Sequence, residues 1–255
     1  MTGTPNDNEK YLSKVPEITL LFWIIKIAAT TLGETGGDAV SMSMGLGYLA
    51  ATGIFAVLFL GAVAAQIAAK RFNPLLYWTT IIATTTVGTT LADFADRSLG
   101  IGYAGGASIL LVLLLGSLFV WYRTMGTIAV DSVSSPKAEI FYWTTIMFSQ
   151  TLGTALGDWT ADSAGMGYTG AAAVFSGMLA LVVVAYYATS ISRTALFWAA
   201  FVITRPLGAV VGDFLDKPAS AGGLALSRYA ASAVLLVFIA GCLMLFPHRA
   251  ASKAH

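Results

Sequence analysis

Apolar residues run in blocks of about twenty, the length needed to cross a hydrocarbon core of ~30 Å. Eight such blocks predict helices over residues 18–37, 48–69, 75–93, 103–122, 139–158, 169–189, 195–213 and 228–246. The period-2 alternation of barrel strands is absent. A fixed phrase recurs within this pattern. Trp23 is followed by Gly33 and Asp38, and the same spacing returns as Trp78, Gly88, Asp93, then Trp143, Gly153, Asp158, then Trp198, Gly208, Asp213. The first helix of each consecutive pair carries the phrase. The second opens at Tyr48, Tyr103, Tyr168 or Tyr229, the first three reached through a Gly-x-Gly-Tyr turn. Glycine gives such a tight turn its backbone freedom. The fourth turn is longer, with Pro218–Gly223 inserted.

The pattern predicts an all-α integral membrane protein of eight transmembrane helices, arranged as four two-helix repeats. A polar cytoplasmic lead at 1–16, disordered at its start, precedes repeats at 17–69 and 70–122, a linker at 123–136, repeats at 137–189 and 190–247, and a cytoplasmic tail at 248–255. Each unit crosses the membrane twice, so the repeats are parallel copies about an axis along the membrane normal. The longer linker divides them into two similar halves.

Composition agrees. The chain is 57% hydrophobic and 11% charged, where soluble domains carry about 25% charged residues. The net charge of +1 carries no message, and a single cysteine, Cys242, excludes an intrachain disulfide. The first apolar block holds Lys26 and lacks a small-residue cleavage site after it, so it reads as a retained helix and not a signal peptide. Basic residues concentrate at the termini and between repeats (Lys10, Lys14, Lys70, Arg71, Arg123, Lys137, Arg193, Arg249, Lys253), whereas only Arg97, Lys217 and Arg228 lie in the turns within repeats. The positive-inside rule then places both termini in the cytoplasm and the repeated aspartates near the opposite face.

Small residues mark the inner helices. Gly33/Gly37, Gly88/Ala92, Gly153/Gly157 and Gly208/Gly212 present small-x-x-x-small faces, which let membrane helices approach closely. The odd helices are therefore expected inside and the even helices outside. From each aspartate a polar stripe runs back along the same helix face: Glu34, Thr31 and Thr30; Thr89, Thr86 and Thr85; Thr154, Thr151 and Gln150; and, in the fourth repeat, Ala209, Pro206 and Arg205. Of these, Thr31, Thr86, Thr89, Gln150, Thr151 and Thr154 are the expected polar pathway.

Asp38, Asp93, Asp158 and Asp213, with Glu34, are the candidate ion-binding residues. An acid at a helix C-terminus opposes the macrodipole, so each needs a cation nearby, either Arg97, Lys217, Arg228 or an ion from solution. Lys26 and Arg205 are candidate coupling or counter-charges, because a mid-bilayer charge costs at least ~2.5–3.5 kcal/mol and needs protein or water around it. Whether Asp96, Asp162 and Asp216 join the site is open at this stage. Oxygen-only donors suit magnesium, calcium or manganese, and the two histidines, His248 and His255, lie in the tail.

The Trp–Gly–Asp phrase and the Gly-x-Gly-Tyr turns resemble a bacterial family of uncharacterised membrane-anchored proteins built from tandem copies of a membrane repeat of unknown function. The resemblance spans about residues 15–247 and is carried by stretches such as Tyr142-Trp143-Thr144-Thr145 and Gly153-Thr154-Ala155-Leu156-Gly157-Asp158. It implies a multi-pass protein of the bacterial inner membrane and brings no activity with it. The residues themselves point to a cation transporter, for a divalent metal such as manganese, with proton coupling. The alternative is a structural or regulatory membrane protein whose polar groups only specify packing. No nucleophile–base pair, phosphate loop or His-based metal motif supports an enzyme. The expected partners are the bilayer, a metal ion or protons and a second copy of the chain, with no nucleic acid.

Overall fold

The described residues form eight long helices: α1 (Leu20–Asp38), α2 (Gly47–Ala68), α3 (Pro74–Asp93), α4 (Tyr103–Met125), α5 (Pro136–Asp158), α6 (Gly167–Ala188), α7 (Arg193–Asp216) and α8 (Arg228–Leu245). The computed structural model describes residues 13–251. The expected disorder at the start of the lead and the last four residues of the tail lie outside the described residues.

α1, α3, α5 and α7 form a closed inner ring in which each touches two others, α7 returning to α1. The outer helices are not laid on their own partners. α2 packs on α3, α4 on α5, α6 on α7, and α8 returns to α1. Each repeat thus lends its outer helix to the next.

The interlock follows from the glycines. A Cβ on Gly33 would run into Thr85, on Gly88 into Gln150 and Thr151, on Gly153 into Arg205, and on Gly208 into Thr30. Each of these glycines lies five residues before its aspartate. It receives the residue eight before the next aspartate round the ring. One turn further on, Gly37 receives Thr89, Gly157 receives Ala209 and Gly212 receives Glu34. Close backbone approach is what small faces provide in a bilayer, where water does not drive association.

In the first three repeats the inner helix leaves through a π-helical turn (39–43, 94–98, 159–163) before the outer helix begins. Both glycines of each Gly-x-Gly step sit at positive φ, as in Gly45 at 69° and Gly47 at 75°, a conformation that side-chain-bearing residues resist.

One end of the ring is filled by aromatic side chains. Trp78, Trp143, Trp198, Phe22, Tyr77 and Tyr142 are buried there, and the Tyr77 and Tyr142 hydroxyls share a hydrogen bond of 2.6 Å. Three segments close that end. The Ser13 hydroxyl donates to the Val130 carbonyl at 2.6 Å, the Ala251 N–H donates to the Val15 carbonyl at 2.8 Å, and Trp198 Nε1 donates to the Ile128 carbonyl at 3.0 Å. Buried Lys14 ion-pairs with Glu139 at 2.7 Å. The end of the polar lead is therefore packed into the protein, and the extra linker residues form its floor.

Among the described residues five helices, α2, α4, α6, α7 and α8, are long and apolar enough to cross a membrane. Large apolar side chains stand exposed on the outer helices, among them Val57, Val112 and Val237, as a lipid-facing surface requires. α1, α3 and α5 fall below that threshold because their threonines and charges lower their hydropathy. Most of those groups, Lys26, Glu34, Thr85, Thr89, Gln150 and Thr154 among them, are buried in the ring, whereas Thr79, Lys137 and Thr144 are exposed.

Candidate functional site

Four layers stack along the ring, and each is set by distance from the repeated aspartate. Asp38, Asp93, Asp158 and Asp213 form the first and are almost fully buried. Two cations are threaded between them. Arg97 contacts Asp93 through Nε at 2.9 Å and Asp158 through Nη2 at 3.1 Å. Lys217 contacts Asp38 at 2.6 Å and Asp213 at 3.0 Å. Arg228 contacts Asp216 at 3.1 Å and reaches Asp38 at 3.6 Å.

Arg97 and Lys217 both lie four residues after their own aspartate, where the first and third repeats have Met42 and Asp162. The acids are fourfold and their cations twofold, as expected of a chain made of two similar halves. Burial works against the Lys217 ammonium, but Asp213 and Asp38 more than compensate and raise its pKa far above the usual lysine range. Arg97 is likewise held charged by Asp93 and Asp158 despite burial. All three cations anticipated for the ring are thus present, and they come from the protein.

The second layer holds Glu34, Thr89, Thr154 and Ala209, each four residues before its aspartate. Arg205, one turn earlier on α7, fills the place that Ala209 leaves open. Its Nη2 donates to Glu34 Oε2 at 3.1 Å, to Thr89 Oγ1 at 2.6 Å and to Thr154 Oγ1. One nitrogen therefore ties together the other three inner helices. The alanine at the fourth position of this layer, paired with an arginine one turn below, is the sequence signal that could have revealed this arrangement.

The third layer contains Thr30, Thr85, Gln150 and Arg205, the residues that enter the glycine notches. Gln150 makes no hydrogen bond among the described residues through either side-chain atom, and neither do Arg205 Nε and Nη1. In the fourth layer, Lys26 meets Ile81, Ile146 and Phe201 at the matching positions. The alternative in which Lys26 pairs with Glu34 or an aspartate is not what the structure holds. Its ammonium is fully buried, has no hydrogen-bond acceptor among the described residues and lies 4.1 Å from the Phe201 ring centroid.

The expected polar pathway needs a second correction. Thr31, Thr86 and Thr151 are buried, but their hydroxyls donate back to Ile27, Ile82 and Met147 of their own helices at 3.0, 2.7 and 2.9 Å. Threonine commonly satisfies itself in this way. Thr89, Thr154 and Gln150 remain turned to the other helices. Of the three open aspartates, Asp216 joins the ring through Arg228, Asp96 packs against Gly106 of α4, and Asp162 is exposed.

Carboxylate oxygens of Glu34, Asp38 and Asp93 come within 4.8 Å of one another, as do those of Asp38, Asp213 and Asp216. Asp38 belongs to both groups, and its Oδ1 has no hydrogen-bond partner among the described residues. Counting Glu34, Asp216 and the ring, six buried acids face four cations, Arg97, Arg205, Lys217 and Arg228. The cluster can therefore accept positive charge as protons or as a cation bound by oxygen.

A family model described as Repeat of Unknown Function (DUF347) matches residues 21–72, 76–127, 141–192 and 196–248. No curated protein and no solved structure matches the chain. Its four matches run in tandem over most of the length and coincide with the four helix pairs, so this helical membrane protein with buried carboxylates belongs to the DUF347 repeat family.

Proposed function

We propose that the protein is an eight-span transporter of a divalent cation such as manganese, in a bacterial inner membrane with both termini cytoplasmic. The orientation is supported by the charge distribution. Arg97, Lys217 and Arg228 at one end are absorbed by ion pairs with buried aspartates, whereas the segments before α1 and after α8, which meet at Pro16 and Ala250, share their end with other basic residues such as Lys14 and Arg249. All eight helices then serve as spans, most of the polarity of α1, α3 and α5 being buried inside the ring.

The observation that carries the transport reading is the group Glu34, Asp38 and Asp93: three buried carboxylates with oxygens within 4.8 Å, of which the Asp38 Oδ1 atom has no hydrogen-bond partner among the described residues. Oxygen donors of this kind suit hard cations. Protons and the metal compete for the same surplus of negative charge, which is the basis of coupling. Lys26 and the unpaired nitrogens of Arg205 lie below as counter-charges. The aromatic end closes the cytoplasmic side in this conformation, so release there requires the ring to repack.

A direct test uses detergent-purified protein titrated separately with Mn²⁺, Mg²⁺ and Ca²⁺. At a hundredfold excess over Kd, binding stabilises by about 2.7 kcal/mol, or roughly 5–10 °C in melting temperature for a chain of this size. The rise is expected to vanish in Asp38→Asn and Glu34→Gln, and proteoliposomes of wild type alone are expected to take up Mn²⁺. No shift with any of the three ions, together with no uptake, would overturn the reading.

A second reading is favoured by the ion pairs of Arg97 and Lys217. They hold the ring shut without any ligand, as a purely structural or regulatory scaffold would need. Under it, Lys217→Met lowers stability while metal leaves every variant unchanged.

A further inference from the structure

A cavity of about 420 Å³ opens on the flank of the bundle between α1, α6 and α7. That is within the ~300–1,000 Å³ range of small-molecule sites, and it lies apart from the carboxylate cluster. Its walls are apolar, with Trp23 and Ile27 from α1, Leu179 and Val183 from α6, and Leu196 from α7. Along α7 the lining runs from Arg193 to Thr204, about 16 Å of helix at 1.5 Å per residue. Half of a ~30 Å hydrocarbon core is about 15 Å. The cavity therefore begins at one membrane surface and ends near the midplane, as deep as one leaflet.

Its shallow end is chemically distinct. Arg193 lies there, exposed, with its guanidinium 4.1 Å from the Tyr186 ring centroid. One nitrogen donates to the Tyr186 carbonyl, and the remaining N–H groups have no acceptor among the described residues. Tyr186 and Tyr187 complete this rim, at the level where aromatic side chains meet lipid headgroups. A surface of this shape inside a bilayer is covered by lipid, and the charge at its mouth selects which lipid.

We propose that the cavity is a binding site for one anionic phospholipid, with an acyl chain along the α1–α6–α7 groove and the phosphate on Arg193. With Arg193 at the end where the segments flanking α1 and α8 meet, the site falls in the cytoplasmic leaflet, and that placement alone rests on the orientation given above. Occupancy does not depend on cation transport. The lipid would bridge α6 of the third repeat to α1 of the first, across the seam where the ring closes.

The experiment exploits Trp23. The chain has six tryptophans, of which Trp78, Trp121, Trp143 and Trp198 are buried, while Trp159 lies at the opposite end of the helices. Detergent-solubilised protein is titrated with phosphatidylglycerol brominated on one acyl chain, and separately with the equally brominated phosphatidylcholine. Bromine in the groove quenches Trp23 fluorescence. Phosphatidylglycerol is expected to quench at a severalfold lower concentration than phosphatidylcholine. Arg193→Gln should abolish that difference, and Trp23→Phe should remove the quenching component itself. Arg193 is exposed, so its variant keeps the fold, which an unchanged melting temperature verifies. Equal quenching by the two lipids in wild type would mean annular contact only and would overturn the site. A preference that survives Arg193→Gln would overturn it too. Neither result depends on metal, so failure here is separable from failure of the transport reading.

Discussion

Arg205→Met tests the centre of the ring most directly. In the native protein a single guanidinium nitrogen meets Glu34 at 3.1 Å and Thr89 at 2.6 Å and also bonds Thr154, with the arginine fully buried. Methionine keeps the apolar stem and removes the charge. Glu34 is then left buried without its cation, beside Asp38 and Asp93. Breaking a buried pair by removing one partner costs about 3–5 kcal/mol, whereas replacing both partners is often close to neutral. For a chain of this size the single substitution should lower the melting temperature by roughly 6–20 °C, at about 2–4 °C per kcal/mol. The double variant Arg205→Met/Glu34→Gln should recover most of that loss, leaving about 1–2 kcal/mol for the hydroxyls of Thr89 and Thr154. Thermal unfolding of all four members of the cycle, followed by intrinsic fluorescence in detergent, gives the coupling energy. A coupling below about 0.5 kcal/mol, the level of independent sites, would show that the guanidinium does not hold these helices together.

Three further outcomes follow from the packing and the charges. Gly153→Ala drives a methyl into Arg205 and should cost about 1–3 kcal/mol, while Gly116→Ala on the exposed face of α4 has open space around it and should be neutral or stabilising by up to ~1 kcal/mol; equal effects in thermal unfolding would refute the notch. Lys14→Met strands buried Glu139 and should cost about 3 kcal/mol, largely restored by Glu139→Gln; limited proteolysis near residue 13 should quicken in the single variant only. Burial pushes the Asp96 carboxyl above its ordinary range, and Arg97 offsets this only in part. An acid raised on folding destabilises above its folded pKa and has no effect below its unfolded pKa, so Asp96→Asn should raise the melting temperature at neutral pH, with the gain fading as the pH falls through the carboxylate range; a gain independent of pH would contradict that origin.

The helices and their pairing into repeats were legible because hydropathy and a fixed spacing report them directly. The inner position of α1, α3, α5 and α7 was legible through Gly33, Gly88, Gly153 and Gly208, since small residues have a packing use in a bilayer that they lack in water. The transfer of each outer helix to the next repeat was not. Nothing in the composition of α2 states whether it lies on α1 or α3. Nor did the threonines reveal their partners: Thr86 and Thr89 are three residues apart and both bond back to their own helix, yet only Thr89 also accepts from Arg205. The cap escaped for another reason. Ser13 and Lys14 look like any polar lead, and their burial depends on linker and tail segments more than a hundred residues away.

The hand-over of outer helices has a consequence for how the chain is made. α1 leaves the ribosome first, yet the helix that covers its flank, α8, is the last to be synthesised. Until then the first and last repeats each have an unsatisfied side, and no single repeat is a folding unit. Co-expressed fragments cut at the 126–135 linker should find one another, because each half carries an outer helix that belongs on the other. Closure of the circle is thus a late event, and it is the step at which a truncated chain would fail.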